Sequence, residues 1–182
     1  MTAPGGAPGV DALIVVDMQE GILRGEPKHD LASVVERINR LAARVRRVGG
    51  TVFFVQHDGP PGDDFAPQSA GWPILGSIDR HPEDRVVRKN LNSAFFGTSL
   101  GADLSRLAPH RVFVTGWATD FCVDATVRAA AELGLTVVAV GDGHTVSDRP
   151  YLSALRIIEH HHAIWAGLFA PGGITVARES EL

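Results

Sequence analysis

The sequence holds one cysteine, Cys122, among 182 residues, which excludes an intramolecular disulfide and any metal site built on several thiolates. No run of apolar residues approaches the roughly 18 that a membrane-crossing helix needs. Positive charge is not in excess: 17 Lys and Arg stand against 21 Asp and Glu, a formal net charge of −4, so the chain offers no electrostatic footprint for nucleic acid. Lysine is scarce. Two of the 17 basic residues, Lys28 and Lys89, are lysines and the rest are arginines. Against that background a retained lysine invites a chemical reason, because a compact ammonium on a flexible stem differs from a rigid guanidinium fork. Lys28 sits in a polar stretch, whereas Lys89 ends an apolar one. The first ten residues, 1–10, carry no positive charge ahead of an apolar stretch. They are therefore expected to be a flexible tail rather than a secretory signal, and the protein to be cytoplasmic, without nucleic-acid or membrane partners.

With 45% apolar residues, the chain can build a real core, and one domain over residues 1–182 is expected. Ala12 to Val16 is a continuous apolar run ending at Asp17, the pattern of a strand covered on both faces. Leu31, Val34, Val35, Ile38, Leu41, Val45 and Val48 recur at helical spacing behind Asp30, an expected N-cap, and Gly49-Gly50 stops them. Further strands are expected at 51–55, 85–88, 111–115, 135–140 and 174–176. Further helices are expected at 100–107 and 123–133, and from Asp148-Arg149-Pro150 to about His162. Strands alternating with helices predict a three-layer α/β/α, doubly wound, mainly parallel sheet. Residues 58–82 are rich in Gly, Pro and Asp, and a loop of that length is expected to serve as a lid or binding loop.

In such sheets, sites form at the carboxyl ends of the strands. Asp17 follows the first strand, Lys89 ends the third, and Cys122 lies just beyond the fourth, where a helix begins. Cys122 by itself is either a buried small hydrophobe or a reactive thiolate. A helix N-terminus and a nearby ammonium would lower its pKa. A carboxylate could take the thiol proton and return it to a leaving amine, and the backbone N–H groups of Ala118 and Cys122 could stabilise an oxyanion. Each residue also has a structural reading, as a turn cap, a strand end or a core thiol.

Three segments give the chain a resemblance to the isochorismatase-like cysteine hydrolase superfamily. They are Ala12-Leu-Ile-Val-Val-Asp17-Met-Gln19, Lys89-Asn-Leu-Asn-Ser-Ala-Phe-Phe-Gly-Thr-Ser-Leu100 and Thr115-Gly-Trp-Ala-Thr-Asp-Phe-Cys122-Val-Asp-Ala-Thr-Val-Arg128. The resemblance implies a Rossmann-like fold, Cys122 as nucleophile, Asp17 as proton shuttle and Lys89 assisting ionisation. It implies a non-proline cis peptide at Trp117–Ala118 and a homodimer or homotetramer. Trp117 departs from the smaller aliphatic residue usual in the family and could narrow the pocket, stack on a planar substrate, or face a subunit interface. In the nicotinamidase branch, metal ligands occupy positions corresponding to Gln56, Asp58 and Asp64. These are not the imidazole set that zinc or iron favours, so no metal or other cofactor is expected. His160, His161 and His162 occupy consecutive helix positions and cannot converge on one ion.

The segment around Ser93–Leu100 is similar to the N-carbamoylsarcosine amidohydrolase branch, which implies a small carboxamide or ureido substrate. His57, Phe65, Trp72, Phe95, Phe96 and Trp117 are the candidate pocket residues. Arg88 and Arg128 are either carboxylate receptors or surface residues. Two alternatives stand beside an amidohydrolase: hydrolysis of an isochorismate-like vinyl ether in secondary metabolism, and a catalytically idle oligomerisation or binding domain.

Overall fold

The computed structural model describes residues 10–182, so all but the last residue of the expected tail lies outside the described residues. Among the described residues there are six strands: β1 (Ala12–Val16), β2 (Thr51–His57), β3 (Arg85–Lys89), β4 (Val112–Trp117), β5 (Val137–Thr145) and β6 (Ile174–Ala177). They form one parallel sheet in the order β3-β2-β1-β4-β5-β6. The order reverses between β1 and β4, which makes the carboxyl end of that strand pair the crevice where ligands bind in doubly wound folds.

Alternate residues of each strand feed two separate cores. Ala12, Ile14 and Val16 of β1 join Phe53, Val55, Val114 and Ala139 on one face. There they meet Leu100 and Leu104 of α3 (Leu100–Leu107), Val127 and Ala130 of α4 (Asp124–Glu132), and Trp165 of α5 (Ala154–Ala166). Leu13, Val15, Phe54, Phe113 and Val138 point the other way, onto Val34, Ile38, Leu41 and Val45 of α2 (Leu31–Arg47). Burial on both faces is why these strands read as unbroken apolar runs.

Several boundaries differ from the sequence expectation, each for a local reason. Asp30 adopts a left-handed φ of 49° and makes no N-cap bond; its carboxylate accepts instead from Ser33 Oγ (2.7 Å) and Arg37 (2.9 Å). β5 runs five residues past Val140, through Gly141-Asp-Gly-His144, because small residues there let it pass β4 closely. A Cβ on Gly143 would meet Thr115 Cγ2 at 3.0 Å. α5 begins at Ala154 rather than near Pro150: residues 149–152 form a tight turn closed by Arg149 and Leu152. Asp148 still caps the helix from outside, accepting from the Ala154 N–H at 2.7 Å. A four-residue helix, α1 (Glu20–Leu23), was too short for its periodicity to show.

Candidate active site

Three strand ends carry the site. Asp17 leaves β1 with a left-handed φ of 50°, a conformation that short polar side chains tolerate. Its N–H is tied to Val55 O at 2.9 Å. β4 can lie against this turn only because residue 116 is glycine: a Cβ there would sit 2.1 Å from Val16 O. Lys89 is paired in register with His57 at the end of β2, and its ammonium reaches Asp17 at the end of β1. After β4 comes the cis Trp117–Ala118 bond, then a π-helical turn, Thr119–Val123, that carries Cys122 and runs directly into α4. Arg149 clamps that turn through both Asp120 oxygens at 2.8 and 2.9 Å. Trp165 Nε1 donates to Asp124 Oδ1 just beyond it, at 2.8 Å.

The three side chains converge on the Lys89 ammonium. Nζ lies 2.7 Å from Asp17 Oδ2, 3.0 Å from His57 Nδ1, 2.9 Å from Leu91 O and 3.3 Å from Cys122 Sγ. An ammonium has three protons and accepts none, so this shell is full. Two consequences follow. His57 Nδ1 must act as acceptor, which puts the imidazole proton on Nε2. Burial, and then the Lys89 charge, hold His57 below its ordinary pKa, so the ring is neutral at pH 7. In addition, ligand atoms of Asp17, His57 and Cys122 lie within 4.8 Å of one another, but the cation they surround is the lysine's own. The residues at the nicotinamidase metal positions are engaged elsewhere. Gln56 Nε2 donates to Trp72 O at 2.9 Å, Asp58 is held by Arg88 at 2.7 Å, and Asp64 by Arg24 at 2.9 Å.

Electrostatics correct one expectation. The Cys122 thiol is not lowered; it is pushed up to about 12, first by burial and then by the adjacent Asp17 charge, with Lys89 opposing. Desolvation outweighs the ammonium because Cys122 is only 9% exposed. Cys122 therefore rests as a neutral thiol. Alkylation by iodoacetamide is expected to be slow at pH 7 and to keep accelerating well above pH 9. A plateau below pH 7 would instead mean a resting thiolate–ammonium pair. Burial also raises the Asp17 carboxyl, with Lys89 pulling it back. Its second oxygen, Oδ1, is buried and has no hydrogen-bond partner among the described residues.

Above these groups lies a cavity of about 330 Å³ lined by Ile22, His57, Phe65, Asn92, Trp117 and Phe121, with Asp17, Ala118 and Cys122 at its base. Of the candidate pocket residues, His57, Phe65 and Trp117 line it, the Phe65 ring packing edge-on to His57 at 5.6 Å. Trp72, Phe95 and Phe96 do not. Trp72 donates to Asp58 (2.9 Å) and lies under Arg88. Phe95 and Phe96 border a separate depression over α4, and Phe96 is 68% exposed. Arg88 and Arg128 are not spare receptors; they pair with Asp58 and Asp124. Of the histidines, His162 Nε2 meets His144 Nε2 at 3.1 Å, and His161 bonds Ile157 O.

Sequence reasoning missed Ile22, Asn92 and Phe121. Asn92 and Phe121 stood inside the quoted motifs, Asn92 three residues past Lys89 and Phe121 beside Cys122; Ile22 had no signal. The expected lid is docked on the sheet by Gln19, which is fully buried. Its Nε2 donates to His57 O and Trp72 O, and its Oε1 accepts from His57 N. Close backbone approach seals the contact: a Cβ on Gly71 would stand 2.2 Å from Asp64 O and 2.6 Å from Gly21 Cα.

Residues 11–178 match the isochorismatase domain family. Streptothricin hydrolase of Streptomyces noursei is 39% identical over 142 residues, covering 78% of this chain and 51% of that protein; this chain thus spans about half that relative's length. Ureidoacrylate amidohydrolase of Cronobacter sakazakii is 31% identical over 160 residues, 67% of this chain and 68% of that one. A crystal structure of an isochorismatase family protein superposes with a TM-score of 0.84 at 32% identity, covering 93% of this chain and 99% of that one. With three strand ends holding the motif side chains on one ammonium, and a match across nearly its whole described length, the chain belongs to the isochorismatase family.

Proposed function

We propose that the protein is a cysteine-dependent hydrolase of a small carboxamide or ureido C–N bond, with Cys122 as nucleophile. The observation that carries this reading is the Lys89 ammonium, which touches both Asp17 (2.7 Å) and Cys122 (3.3 Å) at the cavity. Two of the relatives are a hydrolase and an amidohydrolase by name, which supports the same class of chemistry.

Asp17 takes the thiol proton as sulfur attacks the carbonyl carbon. A neutral resting thiol suits this, since proton transfer and attack then proceed together. Lys89 orients Asp17 and offsets the negative charge the transfer develops around sulfur. Negative charge moves onto the carbonyl oxygen, where the Ala118 and Cys122 backbone N–H groups are the assigned donors. Protonated Asp17 then gives its proton to the leaving nitrogen, the C–N bond breaks, and ammonia or an amine departs from a thioester. Water, deprotonated by Asp17, attacks that thioester; the acid leaves and the thiol regains its proton.

The test is ammonia release from a panel of small amides and ureas. Cys122→Ala is expected to lower kcat/KM by about a thousandfold or more, since it removes the covalent route. Undiminished release by the variant would sink the cysteine mechanism.

A further inference from the structure

The cavity makes a statement about charge. Among the described residues that line it there is no arginine or lysine. The ionic groups at its base form an internally balanced pair, Lys89 with Asp17, and the ammonium has no proton left for a ligand. What remains facing the space is aromatic or aliphatic (Ile22, Phe65, Trp117, Phe121), plus the neutral groups of His57 and Asn92. Asn92 stands beside Cys122, its Oδ1 3.8 Å from Sγ, and His57 lines the same space with its Nδ1 engaged by Lys89.

The cations around the rim are committed elsewhere. Arg24 pairs with Asp64 at 2.9 Å, Arg88 with Asp58 at 2.7 Å and Arg149 with Asp120 at 2.8 Å. Lys28 is the neighbour without a carboxylate partner among the described residues. Its Nζ donates to Arg24 O and Glu26 O and lies 5.2 Å over the Trp117 ring, and Lys28 does not line the cavity. A carboxylate moved against these side chains would give up part of its water and gain only neutral donors, which is unfavourable. A flat neutral group would gain aromatic contact on several sides, with His57 and Asn92 to read its polar edge. At about 330 Å³, the cavity lies at the small end of the usual ligand range of roughly 300–1,000 Å³.

We infer that the substrate is an electrically neutral, planar carboxamide or urea, held among Phe65, Trp117 and Phe121, and that amides bearing a carboxylate on the acyl side are excluded. This inference rests on the hydrolase reading above and narrows it, away from ureido acids.

The test uses isosteric pairs that differ in charge and not in shape: fumaramide against fumaramate, and terephthalamide against 4-carbamoylbenzoate. Hydrolysis is followed with the wild-type protein, and binding of the same compounds with Cys122→Ala by calorimetry. The diamide of at least one pair is expected to exceed its monoanionic partner by about a hundredfold or more in kcat/KM at pH 7, and to keep its advantage in binding. If no compound is hydrolysed but Cys122→Ala binds a diamide and rejects its anion, the charge inference stands and the hydrolase reading fails. An anion turned over or bound as well as its diamide overturns the inference and leaves the hydrolase reading intact; so does failure of both diamides to be hydrolysed or bound. Lys28→Met guards the remaining route: an anion hydrolysed by the wild type and lost in this variant would overturn the inference and make Lys28 its receptor.

Discussion

Lys89→Met is expected to abolish hydrolysis and to destabilise the fold by about 3–5 kcal/mol, the cost of leaving one member of a buried ion pair alone. Both side chains are buried, Lys89 at 0% and Asp17 at 1% exposure, 2.7 Å apart. Set against a typical total stability of about 5–15 kcal/mol, this is a large loss. The variant should also acquire a characteristic pH dependence. Without the ammonium, burial alone acts on Asp17, whose carboxyl is already raised with Lys89 present. A carboxyl whose folded pKa exceeds the unfolded value of about 3.9 gives stability that is full in acid and declines as pH rises through the folded pKa. Relative to the wild type, Lys89→Met should therefore lose least at acidic pH and most toward neutrality. Adding Asp17→Asn removes the orphaned charge, and the double variant should regain most of the lost stability with no activity. Urea midpoints of the four proteins at pH 5 and pH 8, with ammonia release alongside, decide it. Strictly additive losses would mean that the pair is not the source of the cost.

His144 is expected to make the fold sensitive to acid. The ring is buried between the two halves of the site's support. Nδ1 meets Thr119 Oγ1 at 2.8 Å at the start of the turn that carries Cys122, and Nε2 meets His162 of α5 at 3.1 Å. Trp165 packs edge-on at 5.2 Å, and His161 lies on the same helix. Burial first, then repulsion from His162 and His161, pushes His144 down to about 3. An unfolded histidine takes a proton near 6.5. Between those two values the unfolded chain binds a proton that the folded chain does not. The stabilisation is thus complete above about pH 6.5 and is lost as pH falls toward about 3. From pH 6.5 to pH 5 this group alone should remove roughly 2 kcal/mol. His162 is lowered as well and adds in the same direction. In His144→Gln the amide can still bond Thr119 and His162 but cannot titrate. Stability profiles of wild type and variant should therefore converge as pH falls from 7 to 5. Parallel profiles would show that His144 takes no part in the acid loss.

Much of this fold was legible because its strands are covered on both faces. Residues 12–16, 51–55 and 111–115 announce themselves as apolar runs inside β1, β2 and β4, and α2 as a helical stripe. The second half of β5 was hidden, since Asp142 and His144 belong to no apolar pattern and Gly141 and Gly143 read as turn residues. The aromatic wall was only half readable. Trp72, Phe95 and Phe96 have the same chemistry as Phe65 and Trp117, and which of them faces the cavity depends on how the 58–84 segment docks and where β3 releases the chain.

The sequence by itself determined the sheet class, the placement of Asp17, Lys89 and Cys122 at strand ends, and the family resemblance, because alternation, run length and motif spacing are local properties of the chain. The tertiary structure alone decided the rest. It put the thiol up to about 12 rather than down, filled the Asp17–His57–Cys122 cluster with a lysine ammonium, and lined the cavity without a cation. These outcomes depend on distances and desolvation between groups 32, 33 and more positions apart in the chain, and neither quantity is written in residue order.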